Sequence, residues 1–385
     1  MTEVRLSAVT GRGRPMDATE DGLFGGRLRA LARDLWPEQD PPAVPWRPRL
    51  LVAVLVSVLA AIFAYHQLAG RGWLASDFEY DLRAARRFLD GLNPYTDPTS
   101  HPGLAYPFDA VFPYPIFAAL FAVPFTVFSS YTAGALYVGL LSGLMAFAVS
   151  RDGWWRLAIF ASPCYFVAAS VANWSPLIVA AAYLPVLYPL AIVKPTMALP
   201  VVANRPSRAG FALAGIMVAT SVALSPAWPV WWLSSVLHQP SNRYAVPVLS
   251  GATAICLVSL LWYRSREARM LVMLACIPQH AFFYDQLLLW VLPRTLRQSV
   301  ALSAVGWIGY VAWAYADPGF APALASTRHI PPMAYTASFF YLPAFGLVAW
   351  QAYRDRRAAR ETRAPVTLVD ACPDASDPMP GLRAA

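Results

Sequence analysis

LVAVLVSVLAAIFAYHQL, residues 51–68, runs for 18 positions without an Asp, Glu, Lys or Arg. A helix needs about 20 predominantly apolar residues to cross the hydrocarbon core of a bilayer, so this stretch predicts a membrane span. The rest of the chain extends that reading. Of 385 residues, 57% are hydrophobic and only 14% charged, with a mean hydropathy of +0.44. Soluble domains carry about 25% charged residues. The composition therefore excludes a soluble enzyme, a disordered chain and a disulfide-stapled secreted domain. Further apolar runs lie at 112–129, 132–149, 155–172, 174–192, 193–203, 209–226, 245–263, 270–278, 282–293, 298–315 and 335–353. They predict an all-α, polytopic transmembrane helical bundle of about 10–12 spans, because lipid forbids unpaired backbone and no barrel pattern is present.

The charges set the expected organisation. Residues 1–48 are polar and Arg-rich, without the pattern of a cleavable signal, and predict a cytoplasmic N-terminal tail; residues 354–385 predict a cytoplasmic C-terminal tail, with a membrane domain over 49–353 between them. Residues 70–111 hold Asp77, Glu79, Asp81, Asp90, Asp97 and Asp109 against four arginines, and so predict the first extracytoplasmic loop. Arg151 and Arg156 conflict with this: by counting spans they fall on the outer side, which requires a re-entrant segment or a different span count nearby. The basic residues do not gather with aromatics on one folded face, so no nucleic-acid partner is predicted. Cys164, Cys256, Cys276 and Cys372 form no CxxC pair, and no His/Cys/acid group has metal-ligand spacing, so neither a metal nor a cofactor is predicted.

Within the loop, Ser76 and Glu79 fit a capping box, Phe78, Leu82, Ala85 and Leu89 recur at helical spacing, and Gly91 suits a helix end. This predicts an amphipathic helix lying on the outer membrane surface. Asp77, at its start, is either a first-turn acid favoured by the helix dipole or a general base at the membrane boundary. Of the 30 basic residues a single one is lysine, Lys194, and it sits in the apolar stretch LAIVKPTMAL. An ionisable group at that depth costs about 2.5–3.5 kcal/mol and points to function, unless it snorkels to an interface. His280 and Asp285 interrupt another apolar stretch, as a break lining a cavity would.

The order of these features resembles a bacterial family. A first span, an acid (Asp77), an amphipathic stretch, Gly91-Leu-Asn-Pro94-Tyr95, the Tyr114-Pro115 lead-in to the next run, Lys194-Pro195, and Pro278-Gln279-His280 with Tyr284-Asp285 are similar to the polyprenyl-phosphate-sugar-dependent membrane glycosyltransferases of GT-C fold, whose best-known members are the actinobacterial mannosyltransferases of phosphatidylinositol mannoside synthesis. The chain departs from the family's pattern at Tyr114-Pro115-Ile116, where a second proline is common, and at Ala172-Asn173-Trp174-Ser175, where Gly-Gln-x-Asn is common.

The resemblance implies an inverting transferase in the bacterial inner (cytoplasmic) membrane, its site facing outward, with no cofactor. It would move a sugar from a polyprenyl-phosphate donor to a glycolipid or envelope-glycan acceptor among the membrane lipids. Mannose is the sugar that the resembled branch uses; arabinose or another hexose is left open. Asp77 would be the base. Lys194, His280, Arg243 and Arg328 are candidates for binding the donor phosphate, although the two arginines read more readily as lipid-headgroup contacts. Glu79, Tyr95, Tyr114, Asn173 and Asp285 would line the substrate cavity. The rival reading is a transporter or flippase for a lipid or lipid-linked sugar, against which stands the lack of a repeat between the two halves.

Overall fold

The computed structural model describes residues 44–96, 111–237, 244–280, 282–316 and 333–361. These are about 80% helical. In chain order the helices of seven residues or more are α1 (Trp46–Arg71), α2 (Asp77–Leu89), α3 (Ile116–Ala122), α4 (Ser130–Val149), α5 (Pro163–Ser170), α6 (Ser175–Tyr183), α7 (Pro195–Asn204), α8 (Arg208–Leu224), α9 (Trp228–Leu237), α10 (Arg266–Cys276), α11 (Leu296–Ala316) and α12 (Met333–Glu361), with 3₁₀ segments at Trp154–Ala161, Gly251–Trp262 and Asp285–Val291. The strand content of the described residues is one antiparallel pair, β1 (Tyr244–Ala245) with β2 (Gln279–His280).

Among the described residues, α1, α4, α11 and α12 are long and apolar enough to cross a membrane, and α8 with α9, bent by 101° at their junction, would make a fifth span. This is fewer than the 10–12 expected. The remaining apolar runs are chopped by proline. Pro163 and Pro195 start short helices, Pro176 is the second residue of one, Pro115 stands just before one, and Pro247 opens a 3₁₀ turn. The α6 residues are buried throughout, so that run is apolar because it faces protein. Hydropathy alone does not separate a lipid-facing helix from a buried one.

The helix α4 is the axis of the bundle. Of its apolar window 72% is buried, against 22% for α1. On α1, Leu51, Leu55, Val58, Leu59 and Ile62 stay exposed, a face that suits lipid. The two helices run antiparallel and touch closely. A Cβ at Gly139 would lie 2.8 Å from the Ser57 carbonyl oxygen, and one at Gly143 3.1 Å from that of Ala53. Gly139 and Gly143 form a small-xxx-small stripe, which lets two backbones meet.

This pairing resolves the conflict at Arg151. The Arg49 guanidinium donates to the Phe147 carbonyl at 3.0 Å and the Val44 amide to the Arg151 carbonyl at 3.0 Å, so the end of α4 lies beside the start of α1. Arg156 donates to the Val291 carbonyl at 3.1 Å and the Pro293 carbonyl at 2.6 Å, next to the basic turn at Arg294. The stretch 112–129 is therefore no span. It is the seven-residue α3 and a following turn, which pack on α2.

The loop helix also differs from expectation. Its residues Phe78, Glu79, Tyr80, Asp81, Leu82, Ala84 and Ala85 are buried, so α2 lies within the protein rather than on a membrane surface. The Phe78 ring stacks on Tyr137 of α4 at 3.9 Å. The capping box does not form: Ser76 has φ 50°, its hydroxyl caps nothing, and Glu79 turns to Arg83 at 3.3 Å. Gly91 does end the helix, at φ 71°, with the Leu92 amide reaching the Arg87 carbonyl at 2.8 Å and its own amide the Phe88 carbonyl at 3.1 Å.

At the same end, α9 swings across the chain that leads into α3. Trp232 donates its indole N–H to the Pro113 carbonyl at 3.0 Å, and Ser235 its hydroxyl to the Phe112 carbonyl at 2.8 Å.

Candidate functional site

The first turn of α2, the first turns of α6 and α7, and the break after α10 meet in one polar cluster. Asp77 starts α2, Asn173 and Ser175 lead into α6, Lys194 precedes α7, and His280 and Asp285 lie on either side of the break. Three helix N-termini converge here, and their positive dipole ends favour the carboxylates among them.

The bonds run as a chain. Asn173 Nδ2 donates to Asp77 Oδ2 at 2.6 Å. Asn173 Oδ1 accepts from the Ser175 amide at 3.0 Å, the Ser175 hydroxyl at 2.8 Å and Lys194 Nζ at 3.2 Å. Three donors on that oxygen fix which way the amide faces, so its N–H₂ must point at Asp77. Lys194 Nζ donates to Asp285 Oδ1 at 2.7 Å, and Asp285 Oδ2 accepts the His280 amide at 2.9 Å. The ammonium lies 4.8 Å from the centre of the Tyr284 ring, on which the His280 imidazole stacks at 5.4 Å. Asn173 and Asp285 are buried, whereas Asp77 is partly open to the outside.

Backbone strain marks the same places. Ser76 and Ala172 have φ 50° and Phe283 has φ 67°, positions that β-carbon-bearing residues avoid. Ser76 precedes Asp77, Ala172 precedes Asn173, and Phe283 lies two residues before Asp285. Such conformations cost about 1–3 kcal/mol each and cluster where geometry serves a site. The Asp77 amide is held by the Val171 carbonyl at 3.0 Å, which ties the start of α2 to the turn carrying Asn173.

Five of the sequence-predicted residues are thus brought together: Asp77, Asn173, Lys194, His280 and Asp285. Lys194 is not an open cation, because Asp285 neutralises it. Tyr95 and Tyr114 form a wall nearby: the Tyr95 hydroxyl donates to the Tyr114 carbonyl at 3.1 Å, and the Tyr114 ring lies 6.5 Å from that of Trp174. Glu79 is turned away, in ion pairs with Arg83 at 3.3 Å and Arg86 at 3.8 Å. Arg243 and Arg328 lie outside the described residues.

Two further residues belong to the site. Asp81 is fully buried and accepts the Trp174 indole N–H at 3.0 Å. Burial pushes its carboxyl well above the usual carboxylate range, against the pull of the Trp174 bond, and nearby Asp77 pushes it the same way. The spacing Asp77-x-x-x-Asp81 already places both acids on one helix face. Trp174, buried between Tyr137 and Phe121, carries Asn173 on the preceding residue and so links α2 to α6. Among the described residues no three His, Cys or acidic side chains are placed to hold a metal ion.

The cluster can hold a carboxylate at a fixed angle, partly exposed, beside a buried and charge-balanced Lys–Asp pair. Compared with protein-family models, with curated proteins and with solved structures, the chain matches none.

Proposed function

We propose that the chain is an inverting glycosyltransferase of the bacterial inner membrane, of GT-C type, that transfers a sugar from a polyprenyl-phosphate donor to a glycolipid or envelope-glycan acceptor on the outer side. The observation that carries this reading is Asp77: a partly exposed carboxylate oriented by Asn173 at 2.6 Å, at the start of a helix that follows the first span. An acceptor hydroxyl oxygen attacks the anomeric carbon while its proton passes to Asp77. The bond from the anomeric carbon to the phosphate oxygen breaks, and the lipid phosphate leaves with the electron pair. Phosphate is a good leaving group, so one base suffices, and a single displacement inverts the centre, unlike the two-carboxylate arrangement of glycosidases. Asn173 holds the base; the Lys194–Asp285 pair holds Asn173. Mannose follows the resemblance alone.

The test is Asp77→Asn in purified protein, supplied with a panel of polyprenyl-phosphate sugars and native lipid extract. Loss of transfer by about 10²–10⁴-fold is expected for removal of a general base. Near wild-type transfer overturns the base assignment. Movement of intact lipid across vesicles by the wild type, without any glycoside formed, favours the transporter reading instead.

A further inference from the structure

The geometry points to the cleft beside Arg71 as the place where a lipid phosphate binds, with Arg71 as its ion-pair partner. The inference rests on the proposed function for the identity of that lipid, a polyprenyl monophosphate. Arg71 ends α1, and the shallow cleft beside it, about 30 Å³ in volume and half open to solvent, is walled by Trp73, Phe166, Val171, Phe282 and Tyr310.

Other cations at this end of the bundle are already engaged. Lys194 is neutralised by Asp285 at 2.7 Å, and Arg83 and Arg86 share Glu79. Arg87 donates to the Asn93 carbonyl at 3.0 Å and the Thr96 hydroxyl at 2.9 Å. Arg71 forms no ion pair with an acid among the described residues; its guanidinium lies 4.7 Å from the centre of the Trp73 ring. A cation at the last turn of a helix is favoured by the dipole, which accounts for an arginine there. It does not account for an arginine at the wall of an aromatic cleft. A guanidinium stacked on a ring keeps its N–H edge for a planar, two-point contact with phosphate oxygens, and the apolar walls suit the chain that carries the phosphate.

The cleft also adjoins the carboxylate cluster. Val171 lines it, and the carbonyl of Val171 accepts the Asp77 amide at 3.0 Å. Phe282 lines it too, with its ring 6.1 Å from that of His280. A phosphate at Arg71 and a base at Asp77 would thus stand on either side of one shared wall.

The experiment titrates the purified full chain in detergent micelles by tryptophan fluorescence. The probes are undecaprenyl monophosphate, undecaprenol and phosphatidylglycerol. Wild type is expected to favour the monophosphate over both others, and Arg71→Gln to weaken it at least about tenfold, the loss of one charge-assisted contact, with undecaprenol unaffected. Arg71→Lys, which keeps the charge and so the fold, is expected to fall between. Unchanged monophosphate affinity in either variant overturns the inference. So does equal affinity of wild type for phosphatidylglycerol, which would make the cleft a bulk headgroup site. Asp77→Asn separates the two readings, since it should bind the monophosphate normally. Transfer that continues in Arg71→Gln overturns this site and leaves the enzyme; Arg71-dependent binding without transfer by wild type overturns the enzyme and leaves the site.

Discussion

Replacing Lys194 by Met tests the cluster's internal electrostatics directly. The Nζ–Oδ1 separation to Asp285 is 2.7 Å and the side chains are 11% and 4% exposed. At an effective dielectric of about 20, Coulomb's law gives about 6 kcal/mol of attraction at that distance. Desolvation of both ions offsets most of it, so the intact pair contributes little net stability. Removing one partner is different, because it leaves the other charge buried. Lys194→Met strands the Asp285 carboxylate, leaving it the His280 amide as a donor, and should cost about 3–5 kcal/mol. Asp285→Asn strands the ammonium with Asn173 Oδ1 at 3.2 Å and should cost a similar amount. The double variant removes both charges of the pair, and its cost should fall short of the summed singles by at least about 2 kcal/mol. Equilibrium unfolding of the three variants in mixed detergent micelles, with added dodecyl sulfate as denaturant and tryptophan fluorescence as readout, measures this. Costs that add to within about 0.5 kcal/mol would refute the coupling, and with it the idea that Lys194 acts as half of a neutral unit.

Three further outcomes follow from the geometry. Burial raises the Asp81 carboxyl, so its contribution to stability is fully present below the ordinary aspartate value and is lost as pH rises through the raised one; Asp81→Asn should match wild type in acid and unfold at higher temperature toward alkaline pH, and parallel melting curves across pH would contradict this. Asn173→Asp puts a second carboxylate 2.6 Å from Asp77 Oδ2, where both cannot ionise; the pH–rate profile of transfer should shift upward, and an unshifted profile would remove Asp77 from the rate. Gly139→Ala drives a Cβ to 2.8 Å from the Ser57 carbonyl oxygen and should cost about 1–3 kcal/mol, whereas Gly215→Ala, with nothing within 4 Å, should stabilise by up to about 1 kcal/mol; thermal unfolding in detergent distinguishes them.

The long apolar runs around α1, α4, α11 and α12 were legible because each continues as helix over its apolar length, even past the π-helical turn Ala337–Tyr341 in α12. The runs at 174–192 and 282–293 look the same in hydropathy, yet they fold as short buried pieces, and only tertiary context separates the two cases. Asp77, Lys194, His280 and Asp285 stood out as ionisable residues beside or within apolar stretches. That Lys194 would face Asp285, 91 residues on, was not readable, because the register between α7 and the break is set by packing. Nothing in the sequence singles out Arg71, because an arginine at the end of a span is the common interfacial anchor; its aromatic cleft comes from Phe166, Phe282 and Tyr310, far away in the chain. Asp81 and Glu79 are two positions apart and look alike in sequence, yet one accepts an indole N–H and the other pairs with arginines.

The latch that α9 throws over residues 112 and 113 is asymmetric in what it asks of each partner. Trp232 and Ser235 supply side-chain donors, whereas Phe112 and Pro113 offer main-chain carbonyls. Any residue brings a carbonyl, but few bring an N–H or O–H of the right reach. Over evolutionary drift, the donor positions should therefore hold their chemistry while the two acceptor positions vary freely, so the pair would leave no covariation although the segments are bound together. Searches for coupled substitutions would miss this contact and find instead two isolated, slowly changing positions on a bent helix.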